Sequence, residues 1–145
     1  MRTPALILCL LLGSLASATA LAEACYVSSS TSSEAIAEVE QELCYEFVGM
    51  SDGAIDWSCN NENDQMLNTD QKKVVRCADD SLGRCEAALT QESLANYRST
   101  GENQRENRPA VPNDAKVITY YYSAGDLQQV RIDCERSGGT WQSGQ

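Results

Sequence analysis

Residues 116–141 read KVITYYYSAGDLQQVRIDCERSGGTW and carry the clearest structural pattern of the chain. The β-branched and aromatic run at 116–122 predicts a strand. Leu127, Val130 and Cys134 then recur at helical spacing, and the glycine pair at 138–139 is typical of a helix end. A closing strand begins at Thr140. The stretch therefore predicts strand–helix–strand.

The first part of the chain shows a similar order. Residues 25–27 are a short strand candidate, and Thr31 with Glu34 forms a capping box for a helix that extends to about residue 48. Residues 55–59 alternate in polarity as a half-buried strand does.

The middle of the chain predicts a hairpin, in which strands at 72–77 and 84–86 are joined by turn residues at 79–83. The fold class is therefore α+β, a small disulfide-stapled sandwich in the order β-α-β–hairpin–β-α-β. A ferredoxin-like sheet with both helices on one face is one arrangement that suits this order.

Six cysteines follow residue 22: Cys25, Cys44, Cys59, Cys77, Cys85 and Cys134. An even number of cysteines in a small exported protein predicts three disulfides. Cys77 and Cys85 are the closest in sequence, and we expect them to pair across the turn around Ser81. The other four cysteines allow three pairings, among which the sequence does not choose.

Residues 1–22 have the features of a signal peptide, with Arg2, a short apolar run and an Ala20-Leu21-Ala22 cleavage pattern. We expect cleavage before Glu23, which leaves residues 23–145 as a single disulfide-stabilised domain in the periplasm or outside the cell. Lipidation of Cys25 is the alternative, but it would leave an odd number of thiols. No other segment is apolar enough to predict a membrane span.

Charge is distributed unevenly along the chain. Residues 23–71 contain eleven acidic residues and no lysine or arginine, whereas residues 72–145 contain ten of each sign. Nucleic acid is not expected as a partner, because phosphate binding needs clustered cations. A basic protein is the partner that an acidic surface could attract.

No catalytic residue, metal site or cofactor is predicted. The chain contains no histidine, which removes Ser-His and Cys-His catalysis, and no cysteine pair has the C-x-x-C spacing of zinc or redox sites. We therefore predict that the protein is not an enzyme. A carboxylate-based hydrolase remains an alternative, because acidic chains offer many carboxylate pairs.

One row of glutamates is a candidate binding surface. Glu34, Glu38, Glu42 and Glu46 are spaced four apart, so a helix would place them in a ridge about 18 Å long. The ridge is either a solvated helix face or a docking strip for a basic partner. The sequence thus favours a small exported acidic binding protein, of the inhibitor or immunity type. An envelope or secreted structural factor without a dedicated ligand is the main alternative.

Overall fold

The computed structural model describes residues 23–29, 41–60, 69–97 and 107–144. Their strands are β1 (Ala24–Ser29), β2 (Gln41–Val48), β3 (Thr69–Val74), β4 (Gly83–Ala88), β5 (Lys116–Ser123) and β6 (Thr140–Ser143). Their helices are α1 (Ala54–Ser58), α2 (Gln91–Asn96) and α3 (Leu127–Arg136). The predicted signal peptide and its cleavage site precede the described residues. None of these helices is long and apolar enough to cross a membrane.

The strands form one antiparallel sheet in the order β3-β1-β2-β5-β4-β6. Residues Cys25, Tyr45, Thr119 and Cys85 are in register across four strands and define what we call the helix face. The alternate residues, among them Tyr26, Cys44 and Tyr120, define the opposite face, here called the loop face. The predicted α+β class is confirmed.

The prediction of a helix that extends to residue 48 is wrong for Gln41–Val48, which forms strand β2. Leu43 and Phe47 are four residues apart, a spacing that fits both a helix turn and one side of a strand, so the pattern is ambiguous. Pairing decides between them: β2 hydrogen-bonds to β1 on one side and β5 on the other. In that central position β2 is paired on both sides and Tyr45 is buried.

Two further elements differ from the expected order. Residues 54–58 form the short helix α1 rather than a strand, because Gly53 turns the chain and the Trp57 N–H donates to the Gly53 carbonyl at 2.9 Å. The predicted hairpin is also wrong, since β3 lies at one edge of the sheet while β4 lies between β5 and β6.

The main core lies on the helix face, where α1 and α2 cover the sheet. Its fully buried members are Cys25, Tyr45, Ile55, Trp57, Cys59, Leu89, Leu94, Ala115 and Val117. Tyr97 packs against the rings of Tyr45 and Phe47 at centroid distances of 4.7 and 5.6 Å. The third helix is attached to the same face through its disulfide to Cys85.

Residues 75–82 connect β3 to β4 across the loop face, and we call them the crossing loop. A disulfide joins its Cys77 to Cys44 of β2, and the Tyr122 hydroxyl of β5 donates to the Ala78 carbonyl at 2.8 Å. The Cys77 N–H donates to a carboxylate oxygen of Glu46 at 2.7 Å. These contacts hold the loop against the centre of the sheet.

The three expected disulfides are present, but the predicted Cys77–Cys85 pairing is wrong. The observed bonds are Cys25–Cys59, Cys44–Cys77 and Cys85–Cys134. Sequence proximity misleads here because the crossing loop carries Cys77 over β2, while Cys85 points to the helix face and meets α3. Each bond therefore ties one connecting element to the sheet.

Gly83 provides space for the Trp141 indole on the helix face. A Cβ atom at Gly83 would collide with that ring. We expect Gly83→Ala to lower the free energy of unfolding by about 1–3 kcal/mol, the usual cost of overpacking. Urea denaturation measures the loss. Trp141→Leu provides the control, because in its background Gly83→Ala should cost much less; an equal cost in both backgrounds would contradict the steric explanation.

Candidate binding groove

A groove of about 630 Å³ lies at the end of the sheet where β2 leads into α1. One wall is formed by residues 48–53, and the other by residues 75–79 of the crossing loop. Phe47, Ile55 and Tyr120 also line it. We call it the acidic groove because of its charges.

Local backbone geometry shapes the first wall. Gly49 and Gly53 have φ values of 77° and 88°, in the left-handed region that glycine adopts without strain. The chain therefore turns sharply after Val48 and again before Ala54. The loop between these turns projects Asp52 outward while Ala54 and Ile55 return to the core.

Two exposed valines line the groove. Val48 is 45% exposed and Val75 is 56% exposed, whereas the large apolar side chains of the core are nearly inaccessible. They belong to different walls, one at the end of β2 and the other in the crossing loop. An apolar side chain bound between them would remove both from water.

The charges of the groove are predominantly negative. Its lining includes five carboxylates against one cation, Arg76; the carboxylates are those of Glu23, Glu46, Asp52, Asp56 and Asp79. Asp56 forms an ion pair with Lys73 at 2.7 Å, and Glu46 accepts the Cys77 N–H. Glu23, Asp52 and Asp79 are exposed at the rim. The groove thus combines two exposed apolar side chains with an excess of negative charge.

The glutamate ridge does not exist as predicted. Glu42 and Glu46 lie on strand β2, on the loop face, rather than along a helix. Glu46 enters the acidic groove and anchors the crossing loop, while Glu42 lines a separate pocket. Glu34 and Glu38 fall outside the described residues. The helix that was to carry the ridge is therefore wrong over Gln41–Val48, while the role of the four glutamates as a binding surface stays a prediction.

Sequence reasoning missed most of the groove. Only the acidic bias of residues 23–71 hinted at it, since four of the five carboxylates come from that stretch. The sequence pattern places Val48 at a helix end and Val75 in a strand, and neither position predicts an exposed apolar side chain. Within the described ranges, no three histidine, cysteine or carboxylate side chains are grouped to hold a metal ion.

No protein-family model, curated protein or solved structure matches this chain. The function proposed below is therefore argued from the residues that line the acidic groove.

Proposed function

We propose that the protein is a small exported binding protein that recognises a basic, partly apolar segment of another protein in the acidic groove. The observation that carries this proposal is the coincidence of two exposed valines and five carboxylates around one cavity. Export is supported by the three disulfides, which are typical of proteins outside the reducing cytosol.

The charge pattern selects a cationic ligand. Carboxylates outnumber the nearby cations, Arg76 and Lys73, and the remainder of the wall supplies no compensating positive side chain. Cleavage before Glu23 would add a terminal ammonium beside that side chain and would still leave carboxylates in excess. Such a field attracts lysine and arginine, and it accelerates association with a basic partner at low salt.

The valines select a ligand that also carries an apolar side chain. Burying a valine or leucine side chain contributes about 1.5–3 kcal/mol relative to leaving it in water. Exposed apolar side chains that line a cavity with a charged rim are typical of protein-interaction sites. We therefore infer a segment in which lysine or arginine residues flank one aliphatic or aromatic side chain.

The test uses short synthetic peptides, because they separate the two contributions. One peptide carries a leucine between lysines, a second has serine in place of the leucine, and a third replaces lysine by glutamate. Isothermal titration should show the first binding about tenfold more tightly than the second, and the third not binding. Affinity for the first should fall steeply as salt is raised, because rim charges act over a Debye length.

A pair of double variants locates the site. Asp52→Asn with Asp79→Asn removes two charges from the groove, whereas Glu92→Gln with Glu135→Gln removes two exposed charges elsewhere. We expect the groove variant to weaken binding of the leucine peptide about tenfold and the control to change it less than about twofold. Equal weakening by both variants, or failure of every peptide to bind, would overturn the proposal.

A further inference from the structure

A second pocket, of about 340 Å³, opens on the loop face between the crossing loop and strand β1. Tyr26, Tyr122, Glu42 and Asp80 line it, together with Arg76. The Cys44–Cys77 disulfide also lines it, so this part of the crossing loop is covalently attached to the sheet. The pocket volume is in the range of small-molecule sites.

Two tyrosine rings form one side of this pocket. The rings of Tyr26 and Tyr122 have centroids 6.1 Å apart and an interplanar angle of 38°, so they are tilted toward each other rather than stacked. A cation about 5 Å from both centroids satisfies this geometry, since attraction to a ring face extends to about 6 Å. Tilted aromatic walls of this kind are typical of sites for alkylated ammonium groups.

A hydrogen bond holds the Tyr122 ring, whose hydroxyl donates to the Ala78 carbonyl at 2.8 Å. Burial, with a smaller effect from the nearby Glu42 carboxylate, raises the pKa of Tyr26. The contact that both rings offer to a ligand is their aromatic surface. Burial, with smaller effects from nearby carboxylates, raises the pKa of Tyr122 to about 12, so the ring stays neutral across the physiological range.

The carboxylates give the pocket its preference for charge. Glu42 and Asp80 outnumber Arg76, which leaves a net negative lining. A hard inorganic cation such as calcium takes six to eight oxygen ligands, more than two carboxylates supply. An organic cation needs fewer oxygens, because its methyl groups make favourable contacts with aromatic rings.

We propose that this pocket binds a small organic cation bearing a quaternary or alkylated ammonium group. The two pockets share Arg76 and Cys77 of the crossing loop, but the tyrosine pair and Glu42 line only this one, so the proposal does not depend on the acidic groove. The same ammonium chemistry occurs in free small molecules and in the headgroups of choline lipids, and the two sources are separable by experiment.

Choline is the probe, and 3,3-dimethylbutan-1-ol is the matched control, because it has the same shape without the charge. Isothermal titration of the oxidised protein should show choline binding at least about tenfold more tightly than the neutral alcohol. Phosphatidylcholine vesicles are then added: competition with choline assigns a lipid headgroup as the source, and its absence assigns a free cation. Equal affinity for the two probes, or no choline binding, would refute the site.

Variants distinguish aromatic recognition from general attraction. Tyr26→Ala should abolish choline binding, whereas Tyr26→Phe keeps the ring and should stay within about threefold of the wild type. Glu42→Gln should weaken binding severalfold, and circular dichroism establishes that each variant is folded. Asp52→Asn, which changes a carboxylate that lines only the acidic groove, should bind choline normally. If folded Tyr26→Ala binds choline as the wild type does, the tyrosine pair is not a recognition element.

Discussion

Reduction of the three disulfides is expected to unfold the protein at room temperature without any denaturant. The bonds close loops with sequence separations of 34, 33 and 49 residues. Restriction of the unfolded chain by loops of this length stabilises by about 4 kcal/mol each. Even with overlap between the first two loops, the combined effect is comparable to the roughly 5–15 kcal/mol that stabilises a typical domain.

The non-covalent core is too small to replace them. Each disulfide lies in or beside a buried cluster, and all six cysteines are at most 9% exposed. Among the described residues, the buried members of the second cluster, on the loop face, are Ala24, Cys44, Cys77 and Tyr120. Without the Cys44–Cys77 bond, these residues leave the crossing loop with little apolar contact to the sheet. Loss of this bond should free the loop and both cavities beside it.

The measurement must avoid the slow access of reductant to buried sulfur. The protein is reduced in denaturant and then transferred into denaturant-free buffer that contains reductant, and far-ultraviolet circular dichroism reports the remaining structure. A parallel sample without reductant is the control and should refold with its bonds intact. If the reduced chain regains the native spectrum and a cooperative urea transition, packing alone stabilises the fold and the expectation is wrong.

The last part of the fold was predictable because its signals are local. Strand β5, helix α3 and strand β6 follow the expected order, and Asp126 caps the helix by accepting the Gln129 N–H at 3.0 Å. Ser123, the serine that precedes this helix, has another role: its Oγ accepts the Glu42 N–H of β2 at 2.9 Å. A propensity pattern identifies the helix, but the role of its flanking serine depends on a strand 81 residues away.

The first part of the fold was not predictable in the same way. The spacing of Leu43 and Phe47 fits both a helix and a strand, and it is the pairing of β2 with β1 and β5 that makes the segment a strand. The disulfide pattern depends on the path of the crossing loop, which is a property of sheet order rather than of residue spacing. The acidic groove combines Glu23, Val48 and Asp79, and those residues come together only after β1, β2 and β3 have paired.

Unfolding above pH 10 is the second large effect that we expect, and Tyr45 is its main source. This side chain is 2% exposed, and its hydroxyl donates to Ser58 Oγ at 2.9 Å. Burial raises the pKa of Tyr45 far above its ordinary value, despite the opposing effect of the hydrogen bond to Ser58. Burial also raises the pKa values of Tyr97 and Tyr121.

The sign of the effect follows from proton binding. Below pH 10, tyrosine is protonated in the folded and unfolded chains alike, so stability does not depend on this group. Above pH 10 the unfolded chain releases the proton of Tyr45 while the folded chain retains it, and stability falls by about 1.4 kcal/mol per pH unit. The fall continues until the pH reaches the raised folded-state pKa. Absorbance at 295 nm follows ionisation, and circular dichroism follows unfolding.

Tyr45→Phe separates this mechanism from general charge repulsion at high pH. At pH 7 the variant lacks the bond to Ser58 and should be less stable by about 1 kcal/mol. Above pH 10 it no longer has a buried proton to lose, so its stability should fall less steeply than that of the wild type. The two stability curves should therefore cross about one pH unit above 10, since the free energy lost through proton release there equals the contribution of the hydrogen bond.

Added salt should leave the crossing in place, because screening weakens repulsion between surface charges but not the penalty of burying a phenolate. Parallel curves that never cross would mean that Tyr45 ionises within the folded protein, and the alkaline unfolding would then belong to the surface charges.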